Sequence, residues 1–414
     1  MSDIGQPLSW LGGKIGLLVE IATSVAPGGG IWDTSTWDPL GTGTWNLSGG
    51  FEYEDITEHV EKVQIRGGQE RFDARFSTGS ARVTVDNTTG LFTPNAGADP
   101  WSAPFRPGRV VRISVIPDLT DLATTVALFT GRIDSSNDRY TAQGANITTE
   151  LDLIGPLGTL SAYEPLALAV ATGAETTDER IETALDRMSI PAGERSVQTG
   201  INNVVTSYLD QSVLEECQRA ADAEGGAFFA DGEGVYTFKA RNWLTTDTRS
   251  TVIQGYIGFE TPAGSPNAHI IGDPITSWEL ARVRNSIHYM RNGGTRQVET
   301  DSVSITTYGE RTYDRLNLNN TTDAEVLALA VRALSVYKDS AVRIEEVTIA
   351  ANDDPSNLDL NALFYDTQYG DLLSVNIRTL QGWEWSQNVH VIGVTHYITA
   401  DDWTVTLTLD DSLT

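Results

Sequence analysis

A single cysteine, Cys217, occurs in 414 residues. No disulfide framework can be built from it, and the composition suits assembly in a reducing compartment. Cations are also scarce: 28 Lys and Arg stand against 56 Asp and Glu, a formal net charge of −28. A chain of that sign should not grip nucleic acid by its phosphates, because such binding rests on cationic side chains that displace counterions. It could line a path along which DNA slides without adhering, or the charge could serve solubility alone. No run approaches 18 uninterrupted apolar residues, so no membrane span is expected. The N-terminus has no basic segment followed by an apolar one, so no secretory leader is expected either.

Catalytic signatures are missing as well. There is no Gly-rich phosphate loop closing on Lys-Ser/Thr, no His-Glu-x-x-His, no Cys-x-x-Cys and no Gly-x-Ser-x-Gly. The five histidines are His59, His269, His288, His390 and His396. His390 and His396 sit six apart in strand-like sequence, which would separate them by roughly 20 Å, too far to share a metal. Asp86-Asn87-Thr88-Thr89-Gly90 lacks the ligand spacing and closing Glu of an EF-hand, and reads as an Asx-type turn. Cys217 falls on the apolar face of a predicted helix with no base beside it, so it reads as a small core residue. No catalytic, cofactor-binding or metal-ligating residue is assigned, and the chain is not expected to be an enzyme.

What is present is a pattern that occurs twice. Gly108 precedes the alternating stretch Val110–Val115, and Gly131 follows 23 residues after Gly108. Gly370 precedes Leu372–Ile377, and Gly393 follows it by the same 23. Each copy is preceded by an alternating strand, Arg82–Val85 or Glu346–Ile349. Each is followed by another, Ile147–Leu153 or Trp403–Leu409. Self-similarity of this kind changes the fold expected. It predicts two related β-domains near the two ends of a chain whose length suits two to four domains.

Between the copies the periodicity changes. Thr176 with Glu179 forms a capping-box pattern ahead of Ile181, Ala184, Leu185 and Met188, and Pro191 stops that helix. Ser212 with Glu215 forms another ahead of Val213, Leu214, Cys217, Ala220 and Ala221, ended by Gly225-Gly226. A hairpin is predicted next, Ala227–Phe229 and Val235–Phe238, turning at Asp231-Gly232. After a Gly- and Pro-bearing stretch, strands are predicted at Val283–Met290 and Val298–Ile305. One helix, capped by Thr322 with Glu325, buries Val326, Ala330, Ala333, Leu334 and Tyr337. The N-terminal stretch 27–51 carries Trp32, Trp37 and Trp45 among many glycines, which is loop chemistry. Those tryptophans could pack against a neighbouring subunit, against their own domain, or against sugar.

Several motifs together resemble a known family. Phe76 through Pro94, Phe105–Ile113 and Leu128–Ile133 resemble the opening β-domain of minor tail proteins of long-tailed actinobacterial phages. Leu214–Phe238 resembles their middle domain. Ser304–Arg311, Ile392–His396 and Asp402–Thr404 resemble their last domain. The resemblance covers roughly residues 30–412, and Met1–Gly30 departs from it. It implies a mainly β chain with an α+β insert, in which two tail-tube-like β-barrel domains flank a small α+β domain. The expected layout is an arm at 1–50, a first barrel at 51–160, and a middle domain at 161–250. A crossing segment follows at 251–282 and a second barrel with one helix at 283–414. The resemblance further implies a tail-tip hub located in the virion and assembled in the host cytoplasm. Its homotrimer would present six barrels as a pseudo-sixfold ring that adapts the hexameric tail tube to a threefold tip. The implied partners are a distal tail protein or tube ring, a central spike or fibre, and the tape-measure protein. DNA would pass through without specific binding. The alternatives are a receptor-binding module using the Trp-rich segment on host glycan and, more remotely, a cell-wall hydrolase.

Overall fold

The structure is a computed structural model that describes residues 9–10, 15–22, 53–69, 74–93, 107–140, 147–162, 175–206, 212–258, 267–268, 270, 272, 274–350, 363–378 and 381–410. Trp32, Trp37, Trp45 and His269 lie outside the described residues, as do residues 94–106. The chain divides into two compact units: Met1–Ile65 with Ser80–Gly155 and Tyr397–Trp403, and Arg66–Gly79 with Pro156–His396 and Thr404–Thr414. Both are mainly β, with large antiparallel pairings, and the described α-helices all lie in the second. No closed barrel is traced among the described residues.

In the first unit the strand order is Ile15–Ala22, Val110–Ile116, Val126–Tyr140, Ile147–Ile154, Ser80–Asp86. Ile15–Ala22 lies in the segment read from sequence as an arm. It is instead an interior strand, pairing with Val110–Ile116 from Gly16↔Ile116 to Ile21↔Val111. Its Ile15, Leu17, Val19 and Ile21 are buried. Val111, Ile113 and Val115 are buried as their alternation predicts, but so are Val110, Ser114 and Ile116. This strand is therefore covered on both faces, which alternation alone does not reveal. Arg112 escapes by laying its guanidinium over the Tyr53 ring, 4.1 Å from the centroid.

The turn after Ser80–Asp86 is the Asx turn expected, with the Thr88 amide donating to Asp86 Oδ1 at 2.9 Å. Asn87 is fully buried. Its amide donates to Thr93 and Thr149 hydroxyls at 2.8 Å each, and its carbonyl accepts the Phe92 amide at 2.8 Å. Buried polar atoms need partners, and here the loop supplies two and the strand Ile147–Ile154 the third.

The second unit contains the helices. Thr177–Arg187 starts at a complete capping box between Thr176 and Glu179. Val213–Glu224 starts at Ser212, whose hydroxyl accepts the Glu215 amide, but the box is only half made. The Glu215 carboxylate is drawn instead to Arg75 at 2.7 Å and Arg219 at 3.0 Å. Gly225 ends the helix at φ +72°, a conformation glycine adopts without a Cβ penalty. Cys217 is fully buried among Ile181, Leu185, Ala221 and Phe238, and burial pushes its thiol up. The hairpin forms between Ala227–Ala230 and Tyr236–Lys239, but its loop spans residues 231–235 rather than a two-residue turn. Asp231 accepts the Val235 amide at 2.9 Å, and the left-handed position is taken by Gly234.

Ser286–Arg291 pairs antiparallel with Gln297–Thr300 and parallel with Thr312–Leu318, and Asp323–Tyr337 packs on this small sheet. Its core holds Ile287, Tyr289, Leu318, Val326, Leu329 and Ala330. The strand expected over Val298–Ile305 stops at Thr300, and Ser302–Tyr308 is a helix. The β-branched run suggested a strand. The Asp301 carboxylate, accepting the Ser304 amide at 2.9 Å, caps a helix instead, and Gly309 at φ +75° ends it.

The repeat is visible in strand order. The first copy runs Val110–Ile116, Val126–Tyr140, Ile147–Ile154, Ser80–Asp86, each beside the next. The second runs Leu372–Arg378, Glu384–Thr399, Trp403–Asp410, Arg343–Ala350 in the corresponding order. Gly108 and Gly370 share φ +89°. Gly108 N donates to Ile133 O and Gly370 N to Val391 O, both at 2.7 Å. The long strand answers in each copy: Ile133 N donates to Arg109 O at 2.9 Å, and Val391 N to Asp371 O at 3.0 Å. The second glycines do not correspond. Ile133 lies two residues after Gly131, whereas Val391 lies two residues before Gly393. In the segment read as a crossing, Ile253–Gly258 adds a parallel strand beside Leu372–Arg378.

Candidate functional site

Among the described residues the histidines and the cysteine do not assemble a metal site. His390 is buried with Nε2 3.0 Å from Ser250 O, and burial lowers its proton affinity. His396 is buried too, and the same cause pushes it down to about 4. Among the described residues no group of three His, Cys, Asp or Glu could hold a metal ion. No helix among them is long and apolar enough to cross a membrane.

The second unit does contain a cavity of about 110 Å³. One wall is the end of helix Val213–Glu224, from Gln218 through Asp222 to Gly225. Opposite it stand Leu329, Arg332, Ala333, Val336 and Tyr337 of helix Asp323–Tyr337. Tyr289, Tyr313 and Arg315 come from the small mixed sheet, and Phe76, Phe228 and Trp243 complete the apolar lining. The helix that carries Arg332 owes its position to its cap. Glu325 accepts the Thr321 and Thr322 amides through Oε2 and the Asn203 amide, from the preceding domain segment, through Oε1.

Three guanidiniums and one carboxylate line this space. Arg75 donates to Asp222 Oδ2 from Nη2 at 2.7 Å and from Nε at 3.1 Å, and to Glu215 at 2.7 Å. Burial opposes its charge, but Asp222 and Glu215 outweigh that and hold its proton more firmly than usual. Arg315 lies 3.9 Å from Asp222 Oδ1, and its Nε donates to the Tyr313 hydroxyl at 3.2 Å. Arg332 differs from both. It donates to the Arg241 carbonyl and lies at the limit of reach of Asn242 Oδ1, 3.5 Å away. No carboxylate among the described residues lies within ion-pair distance of it. Burial, followed by the neighbouring Arg241 charge, lowers its proton affinity.

Sequence reading did not find this site. Its charged members, Arg75, Asp222, Arg315 and Arg332, are far apart along the chain; Asp222 and Arg332 fall on helices read for their apolar faces, and no element is predicted at Arg75 or over Thr312–Leu318. The available signal was compositional: Arg332 is the one cation on an otherwise uncharged run from Val326 to Tyr337.

No known family model and no curated protein matches the chain. Among solved structures it is similar to the tail protein from Neisseria meningitidis MC58, with a TM-score of 0.57 and 12% identity over 96% of this chain and 97% of that one. It is also similar to the 43 kDa tail protein of prophage MuSo2 from Shewanella oneidensis, with a TM-score of 0.54 and 12% identity over 88% and 96% of the two chains. At such identity the likeness is one of fold.

Proposed function

We propose that the chain is a structural protein of a phage tail, the hub of the tail tip. The observation that carries this is the doubled four-strand motif, with one strand order and one glycine turn in both copies. Its support is a fold shared almost end to end with two tail proteins. Two copies per chain suit a trimer that presents six equivalent β-units, so that a threefold assembly meets a sixfold tube. On this reading the chain has no reaction to catalyse and no cofactor. Its neighbours are a distal tail protein or tube ring, a central spike or fibre, and the tape-measure protein, and its place is the virion tip.

The charge fits the same reading. On this reading part of the chain's −28 charge lies on the ring's inner wall, which repels phosphates over about one Debye length, ~8 Å at physiological salt. A cationic wall would bind the genome in transit.

Native mass spectrometry and negative-stain imaging of the purified full chain test the proposal. The expected result is a mass three times the 44.9 kDa chain and a ring with six lobes. A stable monomer, or a ring of another order, would overturn it.

A further inference from the structure

We propose that the cavity bounded by Arg75, Arg315 and Arg332 is a binding site for a carboxylate on a short apolar body. The inference is independent of the tail reading and can fail without it. Three observations carry it.

The first is charge. In a chain of net charge −28, the lining holds three guanidiniums and a single carboxylate. Asp222 already serves Arg75 and Arg315, while Arg332 donates only to a backbone carbonyl and a distant amide oxygen; the Glu224 carboxylate, paired with Arg241 at 3.8 Å, acts on Arg332 only from beyond ion-pair distance. A half-buried guanidinium with no carboxylate in direct contact is costly, and an incoming anion reduces that cost.

The second is shape and lining. A cavity of about 110 Å³ is of the same order as an engineered apolar cavity of ~150 Å³ that takes benzene. Phe228, Leu329, Ala333 and Val336 offer it apolar walls, with the Tyr289, Tyr313 and Trp243 rings beside them. That suits an apolar body of three to five carbons or a small ring, and not a sugar or a nucleotide.

The third is the valence of the anion. Asp222 remains in the lining, so a dianion such as phosphate would meet its negative charge. A singly charged planar carboxylate can accept two parallel N–H bonds from the Arg332 fork and keep clear of Asp222. Such a group can arrive as a free small organic acid or as an acidic side chain of a neighbouring protein.

The full-length protein would be titrated with butyrate, with the uncharged isostere butyramide, and with an acetylated, amidated peptide carrying one Glu among apolar residues. Binding would be read by saturation-transfer NMR on the ligand and by intrinsic tryptophan fluorescence, with Trp243→Phe assigning the change to Trp243. Saturable butyrate binding with no response to butyramide is expected, weakened at least tenfold by Arg332→Gln and less by Arg332→Lys. Asp222→Asn should tighten it several-fold by removing the one carboxylate charge from the lining, although Glu215 still holds Arg75. Tighter binding of the peptide than of butyrate identifies a partner protein as the source, and the reverse identifies a free acid. Equal binding of butyramide, absence of saturation, or butyrate affinity unchanged in both Arg332 variants would overturn the proposal. Should Arg332→Gln fail to fold, Arg332→Lys decides, because a retained charge without the planar fork must still weaken binding.

Discussion

The two copies of the four-strand motif share a turn but not its surroundings. Gly108 and Gly370 have the same φ, +89°, and donate the same hydrogen bond to the long strand. Yet a Cβ on Gly108 would meet nothing within 4 Å, whereas one on Gly370 would lie 2.0 Å from the Trp243 ring. The residue that follows is Arg109 in one copy and Asp371 in the other. Asp371 is buried and gripped by a two-pronged Arg249, with Nε and Nη2 each 2.7 Å from its carboxylate oxygens. The backbone geometry that defines the motif has been kept in both places. The second copy has in addition become a packing centre for the helical part of its unit.

The comparison breaks most sharply at the first glycines. Gly370→Ala combines backbone strain of about 1–2 kcal/mol with overpacking against Trp243 of about 1–3 kcal/mol, so a loss of about 4 kcal/mol is expected. Gly108→Ala should lose only the strain. Urea unfolding followed by tryptophan fluorescence measures both. Equal losses would mean that Trp243 yields freely and that the two turns are energetically alike.

Next comes the ion pair. Arg249→Ala leaves Asp371 buried without its partner, and breaking such a pair costs about 3 kcal/mol. Arg249 is 36% exposed, which pulls the figure toward its lower side. The double variant with Asp371→Asn should recover part of the loss. If Arg249→Ala unfolds at the same urea concentration as the parent, the fork contributes nothing and Asp371 is not a packing anchor.

The second glycines sharpen the contrast, because their equal spacing from the first hides different roles. A Cβ on Gly131 would come within 2.6 Å of the Ile154 carbonyl and 2.5 Å of the Phe129 ring. On Gly393 it would meet Thr408 at 3.2 Å and the Gly67 carbonyl at 3.3 Å. Gly131→Ala should therefore cost about 2 kcal/mol. Gly393→Ala should stay within about 0.5 kcal/mol, its contacts offset by a less flexible unfolded chain. The opposite ranking would show that the close approaches of Ile154 and Phe129 to Gly131 do not set its cost.

These differences also show what sequence could carry. Alternation, glycine spacing and two of the three capping boxes were legible, because each is set by residues a few positions apart. Ile15–Ala22 was not placed, since its partner strand is Val110–Ile116, far along the chain. Val298–Ile305 reads as one strand in sequence, and the break within it at Asp301 is set by a single side-chain cap on the Ser304 amide. The cavity was invisible for the same reason as Ile15–Ala22: Arg75, Asp222, Arg315 and Arg332 meet only through tertiary packing. Even the 23-residue interval, correct as a pointer to the repeat, equates glycines that stand at different positions in their ladders.

The smallest expected effect separates the long strands. Val126–Tyr140 carries no histidine, whereas Glu384–Thr399 carries His390 and His396, both buried. Burial disfavours the charged imidazole, and His396 is pushed down to about 4. The unfolded chain, with a value near 6.5, then binds a proton that the folded chain refuses. Stability is therefore full above about pH 6.5 and is lost as pH falls toward 4. Linkage gives a loss of about 1 kcal/mol between pH 7 and 5.5 from this one group. His390, lowered in the same direction, adds to the slope. His396→Gln should flatten that slope whatever it does to stability at neutral pH. Urea midpoints at a series of pH values read it directly. A variant slope as steep as the parent's would assign the acid sensitivity to groups outside the second copy's long strand.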